Sequence, residues 1–248
     1  MTALTWDGCV NVRDLGGLPT EGGRVTQPRR LVRADNLRRL TDDGWRALAD
    51  AGVRRVVDLR FPEELAEDPP RDVDVEVVHV SLLGPSRTAE WQDEFNAAMD
   101  RSATAEEYLV WSYLEFLERY REQFGRVFEA IADAPGGAVA FHCLGGKDRT
   151  GLVAALALRL AGVPVEAVAA DYALTEANLA PGNPAWVDAA PDPAERRRRE
   201  LLLPSPASAM QRVLEELERR YGSAAAYLRA CGVSEERLDR LRARLLDP

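Results

Sequence analysis

The sequence predicts an α/β fold: a small, mainly parallel central sheet flanked by helices. Three observations carry this. Short apolar runs of strand character stand at Leu31–Ala34 and at residues 53–59, 73–83 and 137–141, with helix-patterned segments between most of them. The last of these runs passes through a glycine-rich turn straight into an apolar helix. The chain has 248 residues, 46% of them hydrophobic, which suits one domain over residues 1–248 with a sizeable core.

The elements follow in order. The first forty residues read as extended and turn-rich, with the pairs Gly16-Gly17 and Gly22-Gly23, and Leu31–Ala34 as a short strand. Thr41-Asp42-Asp43 caps a helix through Trp45, Leu48 and Ala49, and Gly52 stops it. Residues 53–59 form a buried strand. Residues 73–83 form another, bounded by Pro69-Pro70 and Gly84-Pro85. Residues 86–134 read as helices, with Tyr108, Leu109, Trp111, Tyr113, Leu114 and Phe116 concentrated in one of them. After the strand at 137–141 come an apolar helix, a second helix up to Leu179, and a proline-rich crossing at 181–193. From Ala207 the chain reads as helical to its end, broken by Gly222 and Gly232, and Ser234-Glu235-Glu236 caps the last piece.

The turn after residues 137–141 reads His142-Cys143-Leu144-Gly145-Gly146-Lys147-Asp148-Arg149-Thr150-Gly151. Strand, glycine-rich loop and helix N-terminus gather backbone N–H groups around an anion. Leu144 to Arg149 would line that anion site. Cys143 sits where those groups converge, and both the amides and the helix N-terminus favour a thiolate. Gly145 and Gly146 allow close approach of the backbone. Arg149 offers a planar fork to two phosphoryl oxygens. The Thr150 hydroxyl is placed to bond the thiolate, and His142 to orient the loop from behind. A thiolate in such a nest can attack phosphorus. Lys147 is either a second contact for an anionic substrate or a solvated lysine.

The loop resembles that of protein tyrosine and dual-specificity phosphatases. With Lys147-Asp148 inside it, it is most similar to the atypical bacterial tyrosine phosphatases, a family that includes a secreted mycobacterial phosphatase. Three more segments resemble that family in its order: Asn11-Val12-Arg13-Asp14-Leu15-Gly16-Gly17, then Val57-Asp58-Leu59-Arg60 with Pro62-Glu63-Glu64, then Asp171-Tyr172-Ala173-Leu174-Thr175. The resemblance covers most of the chain. It implies a tyrosine-phosphatase fold, a cysteinyl-phosphate mechanism without cofactor or metal, supporting roles for Arg13 and Arg60, and a lid over the site formed by the helices of residues 86–134. Ordinary core helices are the alternative there.

The general acid is less directly written. No Trp-Pro-Asp occurs, and Phe61-Pro62-Glu63 reads as a strand end followed by a helix that opens on proline. After the strand at 73–83, where the resembled family has another candidate, Ser81-Leu82-Leu83-Gly84-Pro85 holds no carboxylate. Asp148, inside the loop, is the expected acid; myotubularin-like lipid phosphatases resemble the loop at that position. Asp93 and Asp100 stand next in line. A charge that only stabilises the helix N-terminus is the alternative for Asp148.

The formal charge of −9 argues against nucleic acid as a partner. Arg196 to Arg199 read as a solvated helix face, with contact to anionic lipid headgroups as the alternative. Three cysteines (Cys9, Cys143, Cys231) suggest no disulfide framework, and two histidines (His79, His142) no metal site. No apolar run of membrane length and no conventional leader are visible, which points to the cytoplasm, with unconventional export left open. The expected reaction is hydrolysis of a phosphotyrosine protein or another phosphate monoester. Dual-specificity or phosphoinositide hydrolysis, a phosphate-binding pseudoenzyme and a rhodanese-type sulfur transferase are the rivals. The sequence sets no oligomeric state.

Overall fold

The computed structural model describes residues 2–67, 73 and 75–247. Its sheet has six strands: β1 (Thr2–Ala3), β2 (Arg13–Asp14), β3 (Leu31–Ala34), β4 (Val53–Asp58), β5 (Glu76–His79) and β6 (Ala138–His142), in the order β1-β2-β3-β6-β4-β5. β3, β6, β4 and β5 run parallel, as the sequence predicts, while β1 and β2 add an antiparallel edge. β5 is shorter than expected; residue 74 and the Pro69-Pro70 boundary lie outside the described residues.

Strand periodicity sorts the core into two layers. In β6, Val139 and Phe141 join the large cluster on one face, and Ala138 and Ala140 join a smaller one on the other. The smaller cluster holds Trp6, Val32 and Leu48 beneath α1 (Asp42–Asp50), whose N-cap Thr41 accepts from the Gly44 N–H. The larger one is roofed by α4 (Ala105–Arg119), α5 (Arg121–Ala132), α6 (Asp148–Leu160), α7 (Val165–Leu179), α10 (Ala207–Tyr221), α11 (Ala224–Ala230) and α12 (Glu235–Leu246). α6 is buried on nearly every side, which its continuous apolar run from Leu152 requires.

The remaining helices are α2 (Pro62–Glu67), α3 (Ala89–Arg101), α8 (Asn183–Asp188) and α9 (Pro193–Leu201). α8 and α9 correct the expected proline-rich crossing. Pro184 and Pro193 stand in first turns, where a missing N–H costs nothing, and Asp192 caps α9 through the Glu195 N–H. No helix among the described residues is long and apolar enough to cross a membrane.

Because β3, β6 and β4 are parallel, their carboxyl ends share one edge. The segments that leave that edge, 35–36, 59–64 and 143–148, therefore meet. Open α/β sheets place their sites in this position.

Candidate active site

The loop between β6 and α6 is shaped from behind. His142 Nδ1 lies 3.0 Å from the Cys143 carbonyl, and the Asn36 N–H donates to the Leu144 carbonyl at 3.1 Å. Asn11 Nδ2 donates to the Gly145 carbonyl at 3.0 Å, and Arg33 Nη2 to the Gly146 carbonyl at 2.8 Å. Four consecutive carbonyls are thus drawn outward. In a trans peptide the N–H points opposite to the C=O, so the amides of Leu144, Gly145, Gly146 and Lys147 are turned the other way, as a nest for an anion requires.

The donors are themselves anchored. Asp171 of α7 accepts from Arg13 Nε at 2.9 Å and from Arg33 Nη1 at 2.5 Å, all three side chains being buried. Burial opposes the Asp171 charge, but Arg33 and then Arg13 outweigh it and hold the carboxyl below its ordinary range. Arg13 also donates to the Asp171 carbonyl and to Thr175, and Asn178 Nδ2 donates to Asn11 Oδ1. On the other side, His142 Nε2 lies 3.4 Å from Asp58, which Arg60 also grips. Burial again opposes the charge, and His142 and Arg60 together depress the Asp58 pKa. Arg13 and Arg60 therefore lie behind the loop.

Arg149 is buried, and its two terminal nitrogens hold Glu64 of α2 at 2.5 and 2.9 Å. Glu64 also accepts the Phe61 N–H at 2.7 Å. Burial disfavours the Arg149 charge, but the Glu64 bonds raise its pKa above the ordinary value. Phe61 stands between the end of β4 and the proline that opens α2, as the sequence predicts, and lies under two guanidiniums, with Arg87 at 5.0 Å and Arg149 at 5.3 Å from the ring centroid. Glu63 is exposed and accepts from the Arg87 N–H.

Asp148 is half-buried, and its Oδ1 accepts from the Tyr113 hydroxyl at 2.6 Å. Of the reserve acids, Asp100 is held by Arg198 of α9 at 2.6 and 3.0 Å, and Asp93 is exposed. Lys147 is not the solvated lysine that the sequence allowed. It is 5% exposed, and its ammonium donates to the carbonyls of Leu202 and Pro204, just beyond α9. Burial lowers its pKa from the ordinary lysine value. The Cys143 side chain is buried, Leu144 is exposed, and the buried Thr150 hydroxyl has no hydrogen-bond partner among the described residues.

Beside the loop opens a cleft of about 290 Å³ whose lining includes Phe61, Trp91, Phe95, Tyr108, Tyr113 and Phe116 together with Asp148 and Arg149. α3 and α4 supply most of those rings. The arginine run on α9 is largely neutralised by its neighbours: Arg196 meets Asp188, Arg198 meets Asp100, and Arg199 meets Glu195. Among the described residues no three His, Cys, Asp or Glu side chains form a group that could hold a metal.

Residue-level reading of the sequence missed Glu64, Arg33, Asn36, Tyr113 and Tyr172. Arg33 did leave a signal, being a charged residue inside a four-residue apolar strand that is buried throughout. Tyr172 stood in a family-like segment without a role of its own, and Tyr113 left no signal, since an aromatic residue on an apolar helix face reads as core.

A strand, an anion nest carrying a cysteine and an arginine, and a buried acidic clamp together define a cysteine-loop phosphatase architecture. The chain belongs to the tyrosine phosphatase family, whose model matches residues 4–247. Among its relatives, a tyrosine-protein phosphatase of Nostoc commune is 35% identical over 225 residues, covering 87% of this chain and 74% of that protein. The triple specificity protein phosphatase PtpB of Mycobacterium tuberculosis is 28% identical over 274 aligned positions, covering 96% of this chain and 97% of that protein.

Proposed function

We propose that this enzyme hydrolyses phosphotyrosine in proteins through a cysteinyl-phosphate intermediate. The Cys143 thiolate attacks phosphorus. The loop amides and Arg149 take up charge on the equatorial oxygens, where it matters most for rate. Asp148 protonates the tyrosine oxygen as the P–O bond breaks. Asp148, now a carboxylate, then takes a proton from the water that attacks the phosphocysteine, releasing phosphate and restoring the thiolate. Thr150 has a free hydroxyl to offer the sulfur.

The observation that carries the choice of substrate is the aromatic cleft adjoining Asp148 and Arg149. An aryl ring fits such walls, because offset and edge-on ring contacts add to simple burial. The helices bearing these rings are the proposed cover of the site. The mycobacterial relative is named for triple specificity, and phosphoserine, phosphothreonine and phosphoinositides are the second reading for this chain. Two supports for phosphoinositides are weaker here: the Lys147 ammonium is engaged by carbonyls, and Arg196, Arg198 and Arg199 of α9 have carboxylate partners. The cysteines are free thiols, which suits a reducing compartment such as the cytoplasm.

The test is steady-state kinetics on phosphotyrosine, phosphoserine and phosphothreonine peptides of one sequence and on a short-chain phosphoinositide. Phosphotyrosine should lead in kcat/KM by on the order of tenfold or more. A phosphoinositide turned over faster than every peptide would overturn the assignment. EDTA should leave the rates unchanged, since no step uses a metal.

A further inference from the structure

A buried chain of hydroxyl groups ends on Asp148. Tyr113 comes from α4 and Tyr172 from α7, and each is 1% exposed. The Tyr113 hydroxyl donates to Asp148 Oδ1 at 2.6 Å and lies 2.8 Å from the Tyr172 hydroxyl. Tyr113 has one hydroxyl proton, and Asp148 receives it, so the second bond is donated by Tyr172. The two rings meet edge to face with centroids 6.1 Å apart, which locks both hydroxyls in place.

We infer that Tyr113, backed by Tyr172, is the positioning residue of the general acid. The inference rests on the reading of Asp148 as that acid. With Oδ1 occupied by Tyr113, Oδ2 is the oxygen left to carry the proton to the leaving group. As that proton passes to the ester oxygen, the O–H electron pair stays on Asp148 and the carboxyl becomes a carboxylate. A hydroxyl bonded to a carboxylate is held more strongly than one bonded to a neutral acid. The Tyr113 bond therefore tightens during the transfer, and an interaction that strengthens toward the transition state raises kcat. Tyr172 polarises the Tyr113 hydroxyl in the same direction. Burial, with the Asp148 charge beside it, raises the Tyr113 pKa well above its ordinary value, which keeps the phenol a proton donor throughout.

The test is Tyr113→Phe, which keeps the ring and removes the hydroxyl. It is assayed on a phosphotyrosine peptide and on dinitrophenyl phosphate, whose acidic phenol departs without a proton. The expected result is a kcat loss of roughly tenfold to a hundredfold on phosphotyrosine, a loss below about threefold on dinitrophenyl phosphate, and KM little changed on both. Tyr172→Phe should show the same inequality at smaller amplitude, and serves if the first variant folds poorly. In an Asp148→Asn background, Tyr113→Phe should add no further inequality. Equal losses on both substrates, or none, while Asp148→Asn alone remains unequal, would overturn the role of Tyr113. Equal losses for Asp148→Asn itself would remove the acid assignment and the inference with it.

Discussion

At Gly146 the backbone takes φ +65°, and a Cβ there would stand 2.6 Å from the Ala34 carbonyl oxygen. At Gly145 the nearest atom to a Cβ is Leu179 Cδ1 at 3.8 Å, an ordinary contact. The two glycines that look equivalent in the sequence are therefore unequal. Gly146→Ala combines a left-handed backbone with a clash against β3, which cannot move away without breaking its pairing with β6. The backbone term alone, about 1–2 kcal/mol, should lower Tm by about 2–8 °C, with more from the clash. Gly145→Ala should leave Tm nearly unchanged. Matching melts for the two variants would refute this asymmetry. Arg149 makes a second prediction at this scale. Its fork already meets the Glu64 carboxylate with two parallel bonds, a geometry that an ammonium cannot reproduce. Arg149→Lys should lose kcat far more than KM; a change confined to KM would reduce Arg149 to a substrate anchor.

Among the elements, β2, β3 and α7 are joined by the buried triad Arg13, Arg33 and Asp171, and through Arg33 the triad reaches the loop. Removing one partner of a buried ion pair leaves the others uncompensated. Asp171→Asn should therefore destabilise the chain by on the order of 3–5 kcal/mol, with loss of activity because the Gly146 carbonyl loses its anchor. The acid response has a definite sign. The Asp171 and Asp58 pKa values are depressed on folding. Their contribution is thus complete above the unfolded aspartate value of about 3.9 and is lost as pH falls through the lowered folded values. Urea unfolding at stepped pH should show stability dropping below about pH 4–5 in the wild type and dropping less steeply in Asp171→Asn. Equal slopes for the two proteins would show that Asp171 is not part of the acid response.

For the whole molecule, the site is a junction. The loop touches β3 through Arg33, α2 through Arg149 and Glu64, α4 through Asp148 and Tyr113, and the α9–α10 connection through Lys147. Ligand bound there couples to the stability of all of them. Cys143→Ser should abolish turnover, because a hydroxyl does not ionise as a thiolate does, yet it should still bind ester. A phosphotyrosine peptide at about a hundred times its Kd contributes about 2.7 kcal/mol by linkage, or a Tm rise of about 5–10 °C. A flat melt across the titration, or turnover within about tenfold of wild type, would count against the covalent mechanism.

Strands β1 and β2 and helix α8 went unread, but the parallel strands, most of the helices between and after them and the loop with Cys143 and Arg149 were legible in the sequence. Those depend on local matters: strand and helix periodicity, caps, and a contiguous run of ten residues. What meets the loop came from packing between distant segments. Glu64 lies 85 positions from Arg149 and Tyr113 lies 35 from Asp148, so no spacing rule joins them. Lys147 shows the limit most plainly. Its neighbours in sequence suggested an anion site, yet its buried ammonium donates to the carbonyls of Leu202 and Pro204. The prolines of the 181–193 segment read as a crossing because proline cannot continue a helix, yet Pro184 and Pro193 each stand in the first turn of one, where the missing N–H is no loss. Periodicity tells a residue which way to face; the partner it finds there is set by chain segments that meet only when the sheet has formed.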